Sequence, residues 1–462
     1  AVDVDGNVYV TGSSYGDSTS ADYCTVSYDS DGNERWVQRY NGPGNNWDSA
    51  SAIAVDVDGN VYVTGSSYGD STSADYCTVS YDSDGNERWV QRYDGPGNSG
   101  DRASAIAVDV DSNVYVTGYS EVDDLDSDYC TVSYDSDGNE RWVRIYDRPG
   151  NGECRASAIA VDASGNVYVT GYVTGYVKIS IPTTVFTDED YCTISYDSDG
   201  NERWVRRYDG LKGFWYKASA IAVDTSGNVY VTGYVTAWNS REGTYFYYCT
   251  VSYDSNGNKR WAQRHSEQLN DYYKAVAIAV DSSGNVYVTG RSMHDYTIYD
   301  YCTVSYDSNG NKRWVQKYAG PGYSYDFAFA IAVDGDGNIY VTGESFSDYC
   351  TIKYVGNPVK TLLEKAITAI DDLDDDDFKS GLLRGILLKR INSALSTYEK
   401  GFTNLALVQL KCGVIEKMDG CAKRGEPDAG FTLYEDDWLI TCDAQNDLYP
   451  LIADVIDMID FY

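Results

Sequence analysis

Histidine, methionine, proline and positive charge are all scarce in this sequence. Its 462 residues include two histidines (His265 and His294), three methionines and eight prolines, and 36 basic residues stand against 71 acidic ones, a net charge of −35. Two distant histidines argue against a histidine-based triad or a multi-histidine metal centre. The acidic balance argues against nucleic acid and anionic membranes as partners, because both bind basic surfaces. No apolar run approaches the ~18 residues of a transmembrane helix, so we expect no membrane span.

Tyrosine and glycine, in contrast, are abundant, and they recur in a repeat. The chain has 45 tyrosines and 43 glycines, and an aromatic content of 14% is too high for a disordered acidic chain. Residues 1–40 are identical to residues 54–93. The unit reads AIAVDxDGNVYVTG, a variable stretch, DYCTVSYDSDGNERWVQRY and a second variable stretch. Its cysteine occurs seven times, at Cys24, Cys77, Cys130, Cys192, Cys249, Cys302 and Cys350.

Each unit contains four strand patterns, which we label A to D. In one unit they lie at 52–56, 60–65, 76–81 and 87–93, are rich in β-branched and aromatic residues, and are bounded by Gly, Asp or Asn. Seven units of four strands are typical of a β-propeller. We therefore predict a mainly β fold, a seven-bladed β-propeller of four-stranded antiparallel blades. A solenoid is the alternative, but seven four-stranded units favour closure into a ring.

The repeat also resembles a known family. The unit AIAVDxxGNVYVTG…DYxTVxYDxxGNxxW resembles the SBBP-type β-propeller repeat of secreted bacterial and archaeal proteins and, more distantly, NHL-type blades. The resemblance covers residues 1–354 and implies a propeller with an extracellular or cell-surface location. It implies no particular activity, because propellers host many functions. The sequence departs from the family in its cysteine, where such repeats more often have Phe, and in an incomplete last unit.

The A–B and C–D turns are tight and acidic, and alternating strand direction places them on one face. Their carboxylates are oxygen ligands of the kind that Ca²⁺ binds. Candidate ligands are Asp29, Asp31, Asp82, Asp84, Asp135 and Asp137. We favour the alternative of ordinary hairpin turns, in which Asp caps its own backbone and Gly takes the positive φ. No other cofactor is expected.

The B–C and D–A loops form the opposite face, which we call the variable face because only these segments differ between units. The B–C loops include 172–189, the longest, and 234–247, and the D–A loops include 209–217, 265–274 and 319–327. Function concentrates in loops on a rigid scaffold, and aromatic side chains can stack on sugar rings or anchor a protein interface. Candidate ligand or partner contacts are Trp47, Tyr176, Trp215, Tyr216, Trp238, Tyr245, Tyr272, Tyr273 and Tyr325. Scattered, half-buried loop residues are the alternative.

The repeated cysteines and tryptophans have a structural interpretation. In 76–81 the cysteine shares a strand face with Val79 and Tyr81, so we expect a buried free thiol that packs against the next blade. A ring of metal-binding thiolates is the alternative, but no second ligand recurs nearby. The tryptophan of strand D is expected to pack between blades. We predict one disulfide, Cys421–Cys442, in the C-terminal region. Cys154 is expected to be an unpaired thiol or to form an intermolecular disulfide.

The first and last units are incomplete. Ala1 aligns with Ala54, so the chain is expected to be processed or to continue upstream, and after Tyr354 the sequence breaks into Val-Gly-Asn-Pro instead of a fourth strand. The seventh blade therefore presents an open edge, which is a template for pairing. We favour closure of this edge by residues upstream of Ala1. A strand from a neighbouring protomer and a cover of C-terminal helices are the two alternatives.

A change to helical periodicity at Pro358 marks a second domain. We predict a propeller over 1–356 and a small all-α helical bundle over 357–462, with helices at 359–373, 378–400, 403–423 and 435–460. In the second helix, residues such as Leu383, Leu387 and Ile391 line one side. This region loosely resembles helical modules that end some secreted surface proteins.

Function is predicted from the contrast between near-identical blades and an aromatic variable face. We expect an extracellular or cell-surface structural or adhesive scaffold that makes protein–protein contacts or assembles with itself. A carbohydrate-binding module that uses the variable face on a polysaccharide is the main alternative, and a propeller hydrolase or lyase is the third. Serines occur in turns without a nearby histidine, and no phosphate-binding glycine loop or CxxC motif occurs. We therefore do not expect an enzyme.

Overall fold

The computed structural model describes most of the repeat region and part of the C-terminal region. The described residues are 1–15, 20–69, 73–97, 99–123, 126–148, 152–178, 185–210, 214–239, 243–267, 272–294, 298–321, 325–355, 358–373, 381–399, 406, 409–411, 414 and 448–456. The chain divides into two compact units, Ala1–Gly335 with Tyr340–Ile352, and Asp336–Ile339 with Lys353–Tyr462. The boundary predicted at residue 356 stays a prediction.

The first unit is built of strands that form seven consecutive blades. Blade 1 contains β1 (Val8–Tyr15), β2 (Ala21–Tyr28) and β3 (Glu34–Tyr40); blade 2, β4 (Asp48–Val55), β5 (Val61–Tyr68), β6 (Ala74–Tyr81) and β7 (Glu87–Tyr93); blade 3, β8 (Asp101–Val108), β9 (Val114–Asp123), β10 (Asp126–Tyr134) and β11 (Glu140–Tyr146). Blade 4 contains β12 (Cys154–Val161), β13 (Val167–Lys178), β14 (Val185–Tyr196) and β15 (Glu202–Tyr208); blade 5, β16 (Phe214–Val223), β17 (Val229–Asn239), β18 (Gly243–Tyr253) and β19 (Lys259–His265). Blade 6 contains β20 (Tyr272–Val280), β21 (Val286–His294), β22 (Ile298–Tyr306) and β23 (Lys312–Tyr318), and blade 7, β24 (Asp326–Val333), β25 (Ile339–Ser345) and β26 (Asp348–Tyr354).

Each blade is an antiparallel sheet whose strands pair in chain order. Blades 2 to 6 have four strands and blades 1 and 7 have three, with a single bridge, Val2↔Val8, in place of a first strand in blade 1. The predicted seven-bladed propeller is confirmed. Among the described residues blade 7 has no outer strand, as the break after Tyr354 predicted.

The acidic turns have the geometry of capped hairpins. In the A–B turn of blade 2, Asp56 Oδ1 accepts the amides of Asp58 and Asn60 at 3.0 and 2.8 Å, and Gly59 has φ +78°. Asp56 Oδ2 accepts the hydroxyl of buried Tyr62 at 2.8 Å. In the C–D turn, Gly85 has φ +87° and lies against Trp36 of blade 1, where a Cβ would be 2.8 Å from the indole. The turn therefore needs glycine for both conformation and space.

Blades pack on one another through two chemically different sides. We call the side with the tyrosine of strand B, the tyrosine before the cysteine of strand C and the tryptophan of strand D the aromatic side. The side with the valines of strand B, the cysteine of strand C and the tyrosine that ends strand C is the aliphatic side. Between blades 1 and 2, Tyr9, Tyr23 and Trp36 pack on Val61, Val63, Cys77 and Val79. The same arrangement recurs between later blades. The predicted packing roles of the cysteine and the tryptophan are confirmed.

Several predicted loops are instead strands. The segment 172–189 is mostly the paired ends of β13 and β14, which extend to Lys178↔Val185, and 234–247 is mostly the ends of β17 and β18, which extend to Asn239↔Gly243. Our prediction of loops there was wrong. Alternating β-branched and aromatic residues in these segments continue the hairpin beyond the repeated core.

The second unit is helical, and its helices share one apolar core. Helix α1 spans Pro358–Asp372 and α2 spans Gly381–Glu399, close to two predicted helices, and residues 448–456 are also helical. Leu363, Leu387, Ile391 and Ile452 are fully buried in that core. Most of the predicted helices 403–423 and 435–460, and both Cys421 and Cys442, lie outside the described residues. No helix in the described part of the chain is long and apolar enough to cross a membrane.

Candidate functional site: the variable face

The variable face presents exposed aromatic rings where the sequence predicted them. Trp47 is 57% exposed and meets Tyr15 of the neighbouring blade edge to face, with ring centroids 6.0 Å apart. Tyr325 is 58% exposed and Trp215 is also exposed. Tyr176, Trp238 and Tyr245 lie on strands, but their side chains are outside the described part of the structure.

Two predicted contact residues are buried, which corrects the prediction for them. The ring of Tyr216 lies 6.0 Å from Tyr191 and 5.7 Å from Tyr208, and its hydroxyl accepts a hydrogen bond from Arg264 at 2.9 Å. Tyr273 is buried in the same way one blade later, where Lys317 donates to its hydroxyl at 3.1 Å. Both begin a strand A at a position that points into the core between blades, so they pack instead of contacting a ligand.

Between blades 3 and 6, cations of strand A stack on tyrosines of the preceding blade. Arg155 lies 4.4 Å from the ring of Tyr119, Lys217 4.4 Å from Tyr172, and Lys274 4.7 Å from Tyr234. Each cation lies near the start of its strand A and each tyrosine at the sixth position of its strand B, so the pairs repeat from blade to blade. We call this set the cation–tyrosine row. Such contacts are worth about 0.5–2 kcal/mol each, depending on burial.

The cations of the row are close enough to influence one another. Burial, followed by the charges of Arg291 and Lys217, lowers the pKa of Lys274. Acidic neighbours offset part of the charge, since Lys217 pairs with Glu189 at 3.2 Å and Arg155 with Glu153 at 3.6 Å. Burial raises the pKa of Glu189 although Lys217 opposes that shift. An acidic protein therefore has a concentrated basic and aromatic strip on this face.

The row ends in an aromatic cluster around Arg291. The guanidinium carbon of Arg291 lies 5.6 Å from the Tyr272 ring, 5.2 Å from Tyr299 and 5.0 Å from Phe327. Tyr325 stacks parallel to Phe327 with centroids 6.1 Å apart. Here the order of the pair is inverted, because the cation comes from strand B and the ring from strand A.

Neither Arg291 nor the row was predicted from the sequence. A signal for them was present, because the serines at these positions in blade 2, Ser66 and Ser49, are replaced by Tyr, Lys or Arg in later blades. These replacements lie on strands of the repeated unit, whereas the other variation between units lies in the loops. It marks a strand position where the later blades carry charge and aromatic rings that the first two lack.

A carboxylate cluster lies between blades 2 and 3. Oxygen atoms of Asp75, Asp94 and Asp101 lie within 4.8 Å of one another, the one group with metal-ligand spacing among the described residues. Burial raises the pKa of both Asp75 and Asp101. Arg92 contacts Asp75 at 3.0 Å and already supplies positive charge there. The sequence did not single out these residues.

The aspartates predicted as calcium ligands divide into two kinds. Asp29, Asp82 and Asp135 cap their turns: Asp82 Oδ1 accepts the amides of Asp84 and Asn86 at 3.0 and 2.8 Å, and its Oδ2 accepts the Asn86 side chain at 2.8 Å. Hydrogen bonds from the Asn side chain lower the pKa of the Asp82 carboxyl. Asp31, Asp84 and Asp137 are exposed two residues later in the same turns. Calcium binding here stays a prediction.

Burial favours the uncharged forms of the repeated thiols and of the nearby His265. Cys77, Cys130, Cys192, Cys249 and Cys302 are free and buried, and burial raises the pKa of Cys77 to about 11 and of Cys192 to about 12. Cys154 is also free and buried. Nε2 of His265 lies 4.0 Å from Sγ of Cys302, but burial lowers the His265 pKa to about 4 and raises that of Cys302 to about 12. A thiolate–imidazolium nucleophile needs the opposite shifts.

Comparison with known protein families supports the repeat. The SBBP β-propeller repeat family matches residues 35–71, 268–297 and 313–349. No curated protein matches the sequence. Among solved structures, the polysaccharide lyase Uly1 is 10% identical with a TM-score of 0.46, over 76% of this chain and 88% of its own. The lignostilbene dioxygenase of Pseudomonas brassicacearum is 11% identical, with a TM-score of 0.45, over 76% and 87%.

A third solved structure is the β-propeller domain of the Trilobed protease from Pyrococcus furiosus, described as having an open velcro topology. It is 11% identical with a TM-score of 0.44, over 77% of this chain and 94% of its own. The three matched segments and the seven consecutive antiparallel blades show that the chain contains SBBP-type repeats in a β-propeller fold.

Proposed function

We propose that this protein is an extracellular or cell-surface structural scaffold that makes protein–protein contacts through its variable face. The observation that supports this most directly is the exposure of Tyr15, Trp47 and Tyr325 on that face. Large aromatic side chains on a rigid frame are typical anchors of protein interfaces, because they bury much area at little entropic cost.

Hydrogen bonds between consecutive blades hold the frame behind those rings. At each of the six contacts between consecutive blades, a buried tyrosine of strand C donates its hydroxyl to the backbone carbonyl of the next blade's cysteine, as Tyr76 does to Cys130 at 3.1 Å. The opposite face is uniform, with the same capped turns recurring from blade to blade. A repeated frame with one variable face suits a protein that presents binding residues to a partner better than one that encloses a single reaction site.

The proposal is tested by retention of the protein on the producing cells. Tyr15→Ala, Trp47→Ala and Tyr325→Ala combined should release most of the protein from the cell envelope into the medium, with a melting temperature close to that of the wild type. Val57→Ala, Val110→Ala and Val4→Ala combined serve as the matched control, because they change exposed side chains in the A–B turns, on the face opposite the variable face. Retention of the aromatic variant, or protection of the wild type from protease added to intact cells because it is intracellular, contradicts the proposal.

Carbohydrate binding is the second candidate, and the cation–tyrosine row favours it. Rings that stack on sugars beside Lys217, Lys274 and Arg291 fit an acidic polysaccharide better than a neutral one. Affinity electrophoresis in gels that contain polygalacturonate or dextran distinguishes binding of an acidic polysaccharide from binding of a neutral one. Lys274→Ala should weaken retardation by polygalacturonate, whereas Lys259→Ala, which removes an exposed lysine near Tyr208, should not. Equal mobility of the wild type with and without either polymer contradicts this candidate.

A further inference from the structure

The two end blades each have one side uncovered. Inside the chain, the aromatic side of each of blades 1 to 5 packs on the aliphatic side of the next, and Tyr301 of blade 6 donates to the Cys350 carbonyl oxygen of blade 7 at 3.3 Å. Two sides have no such neighbour among the described residues: the aliphatic side of blade 1 and the aromatic side of blade 7. Both are uncovered in the same molecule, so the end blades do not cover each other.

On blade 1 the uncovered side is apolar. Val10 is 52% exposed and Val37 is also exposed, and Cys24, Val26 and Tyr28 are only partly buried. Their equivalents in blade 2, Val63, Cys77, Val79 and Tyr81, are buried under the aromatic side of blade 1. The sequence of these strands is identical in the two blades, since residues 1–40 repeat as 54–93. Strands B to D of blade 1 therefore offer the same side chains as those of blade 2, and only the part that strand A adds in blade 2, with Ala50 and Ile53, is absent.

On blade 7 the uncovered side has the matching groups. Tyr349 is 100% exposed, whereas its equivalents Tyr23, Tyr76 and Tyr248 are buried and donate to the carbonyl of the cysteine in the next blade. Ala330 and Ala332 of the same blade are exposed as well, and Tyr340 is only partly buried. This side is one strand narrower than in blades 2 to 6, but its strand C has the same donor in the same register.

We propose that blade 7 of one molecule packs on blade 1 of a second copy, continuing the blade-to-blade contact across the molecular boundary. The Tyr349 hydroxyl donates to the carbonyl oxygen of Cys24 in the second copy, and the exposed side chains of Val10 and Val37 become buried. A second copy suits this surface because its blade 7 carries the same kind of side chains that cover the aliphatic side of the following blade inside the chain. The contact is heterologous, so it leads to open chains or to larger rings. This proposal deepens the proposed function as a scaffold and rests on it for its biological purpose.

Two variants, each blocking one end, give a decisive test. Val10→Asp places a charge in the blade 1 contact, and Tyr349→Ala removes the donor of blade 7; both positions are exposed, so the fold of the monomer tolerates the changes. Masses are measured by light scattering during size exclusion at about 1–100 μM protein, a range that includes weak association. A salt concentration of about 0.3 M screens the repulsion between acidic copies.

The wild type should form species above 51.2 kDa whose size rises with concentration. Each variant alone should stay monomeric, with association weakened on the order of tenfold or more. An equal mixture of the two variants should form a dimer and nothing larger, because only one compatible pair of ends remains. Val57→Asp and Val110→Asp, at exposed positions in the A–B turns of blades 2 and 3, should behave as the wild type.

A second readout follows Cys24. Its thiol lies in the proposed contact, so alkylation of Cys24 should slow as the concentration of wild type rises and should not slow in Tyr349→Ala. A wild type that stays monomeric at every concentration, assembly unaffected by either variant, or a mixture that gives no dimer overturns the proposal. Cell-envelope retention depends on Trp47 and its neighbours and is measured separately, so failure of self-assembly and failure of the scaffold function are distinguishable.

Discussion

At the scale of single residues, the hydroxyl of the strand C tyrosine joins one blade to the next. Tyr129 is buried and donates to the carbonyl oxygen of Cys192 at 3.2 Å. The same carbonyl also accepts the Thr170 hydroxyl at 3.3 Å, so it keeps one partner if the tyrosine donor is lost. The contribution of Tyr129 is therefore that of one neutral hydrogen bond, and its loss does not leave the carbonyl wholly without a donor.

Tyr129→Phe should lower the free energy of unfolding by about 1 kcal/mol, because it removes this bond and leaves the ring in place. Scanning calorimetry of dilute protein measures the change as a lower melting temperature. Tyr349→Phe is the matched control, since that hydroxyl is fully exposed and its removal should change nothing in dilute solution. Equal melting temperatures for the two variants would show that the bond adds no stability.

The blade cysteines should react in an order set by burial. Burial raises the pKa of Cys130, Cys192 and Cys249 to about 12, so in the native state their thiols stay protonated at neutral pH and become nucleophilic only as pH rises toward that value. Cys24 and Cys350 are only partly buried. Alkylation of dilute native protein in mildly alkaline buffer, read by mass spectrometry, should modify these two well before the other three. Loss of that order in the native protein would contradict the assigned burial; in urea, where every thiol is exposed, all five should react alike.

At the scale of elements, the hairpins show two kinds of tight turn. The described A–B and C–D turns place glycine at positive φ, as at Gly59 and Gly85, except the A–B turn of blade 3, where Ser112 has φ +60°. The β25–β26 hairpin of blade 7 instead turns through Phe346 and Ser347, with φ of +54° and +66°. Two-residue turns of this hand favour Asn and Gly, because a larger side chain at positive φ meets its own backbone.

Phe346→Asn should raise the free energy of unfolding by about 1 kcal/mol, since Asn tolerates the left-handed conformation. Phe346 is 66% exposed, so little packing is lost with the ring. Phe329→Asn, at another exposed phenylalanine but within β24, is the control and should give no gain. Urea unfolding monitored by tryptophan fluorescence compares the two, and a destabilised Phe346→Asn would show that the phenylalanine ring is held by contacts that outweigh the strain.

At the scale of the whole molecule, charge is the dominant feature. A net charge of −35 repels itself in a compact state, and added salt screens that repulsion. The capping aspartates already accept hydrogen bonds from their own turns. We therefore expect cations to screen the charge of these carboxylates instead of being bound by them as ligands.

The melting temperature should therefore rise with ionic strength to a similar extent in NaCl and in CaCl2 matched for ionic strength, and EDTA at constant ionic strength should leave it unchanged. Differential scanning fluorimetry with MgCl2 as the control for divalent charge makes the comparison. A rise produced by millimolar CaCl2 alone, and reversed by EDTA, would instead establish structural calcium sites at Asp82 and the related turns.

The internal repeat is sufficient to specify the blade. It predicts four strands, their order, the capped turns with their glycines, and which repeated side chains are buried, because these depend on alternation and turn chemistry within some fifty residues that recur as 1–40 and 54–93. The same local patterns predicted α1 and α2. They also placed Trp47 and Tyr325 correctly on the exposed variable face.

Only the tertiary structure decided the features that depend on contacts between blades. Tyr216 and Tyr273 look like loop aromatics in sequence, yet they are buried because strand A begins earlier and points them between blades. The cation–tyrosine row joins residues of different blades that no single repeat brings together. Val10 and Val63 occupy identical sequence, but one is exposed and the other buried, since burial depends on whether another blade packs on that side.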